Sequence, residues 1–147
     1  RGYAVSFHAQ PRATKDIDLF VEASTANARA VYAALADFGA PLASITVDDL
    51  ADPAKFIRFG REPLAFDILP GIDGVDFGSA WERRVESVLD ETTGLTAFLI
   101  SKEDLIASKL AAGRMRDLAD VEEIREAEIS QHQDVQPKAS DPNGLEQ

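Results

Sequence analysis

Acidic residues that alternate with apolar ones are the first sign of chemistry in this sequence. Asp16 and Asp18 alternate with Ile17 and Leu19, and this period-two pattern over 16–22 predicts a β-strand. Residues two apart on a strand share a face, so we expect both carboxylates on one face and the apolar side chains turned into the core. Two like charges this close repel each other, and a bound cation is the simplest way to stabilise them.

A third acid, Asp67, lies between Phe66 and Ile68 in the apolar segment 64–69. An acid in such a strand is costly unless it reaches water or a metal ion. If this strand neighbours 16–22, the three acids can hold two divalent ions and support in-line phosphoryl or nucleotidyl transfer. Magnesium, with manganese as the alternative, prefers such oxygen ligands. A solvated strand face is the commoner explanation of an Asp-x-Asp pair taken alone.

The elements that must position these acids follow from apolar patterning and from cap residues. The segment 2–8 is apolar and fits a strand or a helix, and a loop leads from it to residue 16. Ser24 or Thr25 is suited to cap a helix over 26–38, and Gly39 to end it. After a loop, the segments 55–59 and 64–69 predict a β-hairpin.

The second half of the chain predicts a short helix, two strands and a long helix. The helix covers 79–84, and the strands cover 85–89 and 95–100. Ser101 and Asp104 have the spacing of a capping box, which opens a helix from 102 to about 127 that Gly113 could split. The expected fold is an α/β (α+β) domain over 1–129 with a mixed, mainly antiparallel sheet flanked by helices. Residues 130–147 read as a disordered tail.

Composition narrows the classes of function. The sequence has no cysteine, which excludes disulfides and thiolate sites and fits a cytoplasmic protein. No apolar run is long enough to cross a membrane, so no membrane partner is expected. A net charge of −11 argues against broad adhesion to nucleic acid. A local positive pocket stays open, because basic residues cluster in two segments: Arg12, Lys15, Lys109, Arg114 and Arg116.

The segments GYAVSFH at 2–8, PRATKDIDLFV at 11–21 and LAFDIL at 64–69 resemble a known family, the bacterial nucleotidyltransferases related to AbiEii toxins. These are part of the polymerase-beta-like superfamily, whose pattern is a Gly-Gly or Gly-Ser pair, an Asp-x-Asp and a later third acid. Gly2 and the three acids match that order. Arg1 stands in place of the first glycine, so either the preceding segment is cut or altered, or phosphate binding at that turn is weaker.

The resemblance assigns roles to further residues. Gly2 is expected to receive the triphosphate at a helix N-terminus, and Arg12 and Thr14 belong to the same R-x-T-x-D-x-D string. The stretch LIASKLAAGRMRDLAD at 105–120 is similar to the family's C-terminal helix motifs. If one helix spans it, Lys109, Arg116 and Asp120 lie along one line of its surface and are expected to bind the nucleotide. A solvated helix face is the alternative.

Three functional hypotheses follow. The resemblance implies a magnesium-dependent nucleotidyltransferase that uses a nucleoside triphosphate and modifies a hydroxyl of an RNA, a protein or a small molecule. It also implies a toxin paired with a cognate antitoxin. The rival is a non-catalytic nucleotide-binding or regulatory module with the same fold, which Arg1 supports. A metal-dependent phosphohydrolase would use the same acids with water as the acceptor.

Overall fold

A computed structural model describes residues 2–9, 16–61 and 64–134, and within them it leaves the side chains of 2, 3, 16, 64 and 131–134 undescribed. The helices are α1 Gly2–His8, α2 Thr25–Phe38, α3 Val47–Ala51, α4 Phe77–Glu82, α5 Lys102–Ala112 and α6 Met115–Asp134. The strands are β1 Asp16–Phe20, β2 Ile57–Arg61, β3 Leu64–Leu69, β4 Val85–Asp90 and β5 Leu95–Leu99.

The strands form two small sheets. In the three-stranded sheet the order is β1-β3-β2, with β1 parallel to β3 and β2 antiparallel to it. The strands β4 and β5 form a separate antiparallel pair. Antiparallel pairing therefore predominates and helices flank the sheets, which confirms the predicted α+β class and both predicted strand pairs. The neighbouring positions of β1 and β3, on which the metal hypothesis depends, are observed.

Cap residues set the helix ends as the sequence predicts. The Ser24 side chain accepts a hydrogen bond from the backbone N–H of Asn27, and Gly39 ends α2 in the left-handed conformation with φ of 83°. Ser101 likewise caps α5 by accepting from the Asp104 N–H. One helix was not predicted: Thr46 and Asp49 form a capping box that begins α3 within the expected loop.

A hydrophobic core joins α2 and α3 to one face of the three-stranded sheet. Its buried residues come from these helices and from β2 and β3, and they are Ala28, Leu35, Leu50, Ile57, Phe59 and Ile68. The expectation that Ile17 and Leu19 point into the core is wrong, since these residues are 55% and 44% exposed. They pair with Phe66 and Ile68 in register, but β1, unlike the other edge strand β2, contributes no buried residue to this core.

A second core cluster holds α1 against α5 and α6. Ala4, Val5, Leu105 and Ile124 are buried together, and α1 also contacts β1. The ambiguous segment 2–8 is therefore a helix, because its apolar side is covered by two other helices. The cluster fixes the C-terminal helices beside the edge strand that carries Asp18.

The predicted long C-terminal helix is split. Gly113 has φ of 62° and donates its N–H to the carbonyl of Lys109, which ends α5. The second part, α6, continues to Asp134, so the expected domain end at residue 129 falls inside a helix. Residues 135–147, the rest of the expected tail, lie outside the described part. In the described ranges, no helix combines the length and apolar character needed to cross a membrane.

We expect Gly71→Ala to destabilise the fold, because a Cβ there would lie 2.3 Å from the carbonyl oxygen of Pro53. Backbone must move to relieve this contact, at a cost of roughly 1–3 kcal/mol in the free energy of unfolding, measured by urea denaturation. The matched control is Gly78→Ala in α4, where the nearest atom, Asp76 Oδ2, is 3.4 Å away. Equal stabilities for the two variants would contradict the close approach of Pro53.

Candidate active site

A row of three charged residues crosses the three-stranded sheet. Asp18 on β1 is the register partner of Asp67 on β3, and Asp67 is the register partner of Arg58 on β2. Register partners share a face of a sheet. The row lies on the face opposite Ile57 and Phe59, which pack into the core with α2 and α3. The pairing thus brings two of the three predicted acids to facing positions.

Asp67 is the buried member of the row. Its side chain is 5% exposed, and its Oδ1 lies 3.8 Å from Nε of Arg58, whose side chain is 38% exposed. This distance is an ion-pair separation and is longer than a hydrogen bond. A buried carboxylate is costly without a compensating charge, and Arg58 supplies one. Asp67 therefore has an acid as its register partner on one side and a cation on the other.

Asp16 begins β1, and its backbone position faces Ala65 of β3. Its side chain is outside the described part, so its place as a metal ligand stays a prediction. Among the described side chains, His, Cys, Asp and Glu form no group of three or more that could hold a metal ion. Two carboxylates at facing positions nevertheless suit magnesium, which takes one or two from the protein and its other ligands from water and phosphates.

A buried ion cluster lies where α5 meets α6. The Lys109 side chain is 2% exposed, and its ammonium contacts the carboxylates of Asp117, at 3.3 Å, and Asp120. Asp117 also accepts a hydrogen bond from Arg114 Nε at 2.6 Å through its other oxygen. Both oxygens of Asp117 are thus engaged by cations, one inside the fold and one at its surface. The cluster fixes the corner between the two helices.

Arg114, at the exposed end of this cluster, interacts electrostatically with Asp18 of the charged row. The hydrogen bond to Asp117 raises the pKa of the Arg114 guanidinium, and the charge of Asp18 adds a smaller increase in the same direction. Arg114 is therefore near enough to Asp18 for the two charges to interact. An exposed guanidinium that interacts with a carboxylate site suits the binding of an anionic substrate, such as a phosphate group.

A family model matches most of the chain. Residues 2–136 match the model of a family described as "Nucleotidyltransferase of unknown function (DUF6036)". The chain belongs to this family. The match spans most of the described chain, including the charged row and the α5–α6 corner. It supports a nucleotide substrate at the level of the family. Comparison with curated proteins and with solved structures gave no match.

The other predicted nucleotide-binding residues of this nucleotidyltransferase-family chain are placed as follows. Lys109 and Asp120 are buried and paired with each other, and Arg116 is exposed near the start of α6. The single helix that would align the three is broken at Gly113. Gly2 begins α1. Arg12 and Thr14 lie outside the described residues, and contact of any of the six with a nucleotide stays a prediction.

Two residues of the site were missed by sequence reasoning. Arg58 could have been found from the predicted hairpin, because pairing of Arg61 with Leu64 places Arg58 opposite Asp67. Asp117 could not, because a continuous helix puts it on a different side from Lys109. The break at Gly113 is what brings the two together.

An open cleft of about 550 Å³ lies beyond the carboxyl ends of β1 and β3. Phe20, Glu22, Gly71 and Phe77 are among its lining residues, whereas Asp18 and Asp67 are not. The charged row of Asp18, Asp67 and Arg58 therefore lies on the face of the sheet rather than inside this cleft. The chemistry proposed for this site depends on the row and not on the cleft.

We expect Lys109→Met to lower the free energy of unfolding by about 3–5 kcal/mol, because it leaves Asp117 and Asp120 buried without their cation. The triple variant Lys109→Met/Asp117→Asn/Asp120→Asn should recover part of that loss. The matched control is Lys102→Met on the same helix, which removes a more exposed pair with Glu128 and should cost less than about 1 kcal/mol. Equal costs for the two single variants in urea denaturation would contradict the cluster.

The Asp117 carboxylate should also make stability depend on pH. Burial raises its pKa, but the hydrogen bond from Arg114 and the charge of Lys109 outweigh burial, so the pKa lies below the ordinary value. A lowered pKa stabilises the fold above the unfolded pKa, and this contribution is lost as pH falls through the folded pKa. The stability difference between wild type and Asp117→Asn should therefore be largest near neutral pH and shrink below about pH 4.

The control for this pH series is Asp73→Asn, since Asp73 is exposed. Its stability difference from wild type should stay small across the series. A difference for Asp117→Asn that is the same at pH 3 and pH 7 would contradict the assigned ionisation.

Proposed function

We propose that this member of the nucleotidyltransferase family transfers a nucleoside monophosphate from a nucleoside triphosphate to an acceptor hydroxyl, with magnesium as the cofactor. The observation that supports the proposal is the register pairing of Asp18 with Asp67 on neighbouring parallel strands. Two facing carboxylates supply a concentrated negative charge that a divalent cation stabilises. The family match supports the nucleotide as substrate.

In the proposed reaction the acceptor oxygen bonds to the α-phosphorus, the bond from that phosphorus to pyrophosphate breaks, and the acceptor proton passes to the Asp67 carboxylate. Asp16 and Asp18 would hold the metal, whose role is to neutralise the phosphates and the developing charge. Asp67 would help to hold the cation and to activate the acceptor hydroxyl. Arg114, fixed by Asp117, would offer a cation to the phosphates from the α5–α6 corner.

The proposed function also includes an acceptor and a biological setting. An RNA, a protein or a small molecule with a free hydroxyl would serve chemically, and a toxin partnered by an antitoxin in the cytoplasm is the setting that the AbiEii-like residues imply. The net charge of −11 favours an acceptor with a small footprint over a large RNA surface.

A non-catalytic nucleotide-binding module is the second candidate, and one observation favours it. Lys109, the expected triphosphate ligand, is 2% exposed and is paired with two buried acids. A protein with this fold and these acids, in which Lys109 only stabilises the packing of α5 against α6, would bind a nucleotide without transferring it.

We expect Asp18→Asn and Asp67→Asn each to reduce transfer by about 100-fold or more, because each removes a charge that the metal site needs. The measurement follows the label from each α-labelled nucleoside triphosphate into cellular RNA, protein and small-molecule fractions in the presence of magnesium. Asp48→Asn, at an exposed position of α3, is the control.

Circular dichroism spectra must show that these variants remain folded. Full transfer by Asp18→Asn would rule out the proposed site. Magnesium-dependent nucleotide binding with no transfer by the wild type would favour the non-catalytic module.

A further inference from the structure

Arg58 is the one member of the charged row to which the proposed reaction gives no role. It lies on β2, opposite Asp67 across the hairpin, with its Nε 3.8 Å from Asp67 Oδ1. Asp67 is in turn opposite Asp18. The order of charges across the sheet is therefore negative, negative, positive, and the central charge belongs to the most buried side chain of the three.

The position of Arg58 has an electrostatic consequence for any cation at the acids. A guanidinium stays protonated at every pH at which the protein is folded, so its charge next to Asp67 is permanent. A divalent ion that contacts Asp67 comes within a few ångströms of that charge and is repelled by it. Because Asp67 is 5% exposed, water screens this repulsion less than between two surface groups, although the Arg58 side chain is itself 38% exposed.

We propose that Arg58 is an internal counter-ion that competes with the divalent cation for Asp67, so that the cation binds tightly only together with the nucleotide. Without nucleotide, Arg58 stabilises the Asp67 carboxylate and keeps the affinity for a free cation low. When a triphosphate is present, its negative charge offsets the guanidinium and brings its own oxygen ligands to the cation. This inference rests on the proposed function and adds an order of binding to it.

A purely structural role for Arg58 makes a different prediction. If the arginine only stabilised a buried acid, its removal would lower the melting temperature and leave the affinity for a cation unchanged. If it competes with the cation, its removal raises that affinity, and added cation restores part of the lost thermal stability. The two roles are separated by a binding measurement that requires no turnover.

The experiment titrates the full chain with Mn²⁺ and measures free Mn²⁺ by electron paramagnetic resonance, with and without a non-hydrolysable triphosphate analogue. Arg58→Gln should bind Mn²⁺ about tenfold or more tightly than wild type without nucleotide, and the gain from added nucleotide should shrink. Arg58→Lys keeps the charge and should stay near wild type. Arg58→Thr is a second neutral variant, whose β-branched side chain suits an exposed strand position.

The matched control is Arg61→Gln, an exposed arginine on the same strand that pairs with Leu64 rather than with an acid. It should leave the Mn²⁺ affinity unchanged. Neutral Arg58 variants that bind Mn²⁺ no more tightly than wild type overturn the inference, provided that Asp18→Asn still weakens binding. If Asp18→Asn leaves Mn²⁺ binding unchanged, or if no variant binds the ion, the proposed metal site fails as well.

Discussion

The parallel pairing of β1 with β3 is the constraint on which the rest of the site depends. Because the backbones pair in the register Asp18 to Asp67, two carboxylates that are far apart in sequence face each other on one side of a sheet. The other side of β3 is committed to the core through Phe66 and Ile68. The alternation of β3 thus places Asp67 and the core side chains on opposite faces, and a shift of β3 by one residue would exchange them.

The α5–α6 corner supplies a second, independent group of charges. Lys109 is buried between two acids, and one of these, Asp117, holds Arg114 within electrostatic reach of Asp18. Buried ion pairs contribute little net stability, but breaking one is costly. Asp117 therefore links the buried Lys109 of α5 to the exposed Arg114, which lies three residues before it.

Local sequence signals predicted most elements of this fold. The capping box that begins α3 is also a local signal and was overlooked, whereas non-local contacts account for the other differences. Caps such as Ser24 and Ser101 act within one turn, so the sequence shows them directly. The exposure of Ile17 depends on which strands α2 and α3 cover, and periodicity does not contain this information. The contact of Lys109 with Asp117 depends on the bend at Gly113, since an unbroken helix would have kept them apart.

The charges of Asp67 and Arg58 also affect which register β2 and β3 adopt during folding. A slip of one residue between β2 and β3 would turn one strand over relative to the other. The side chain of Asp67 or of Arg58 would then lie in the hydrophobic core beside Leu35 and Leu50, without its oppositely charged partner. Such a misaligned intermediate carries a large desolvation penalty. The pairing of Asp67 with Arg58 therefore favours the native register of the hairpin during folding.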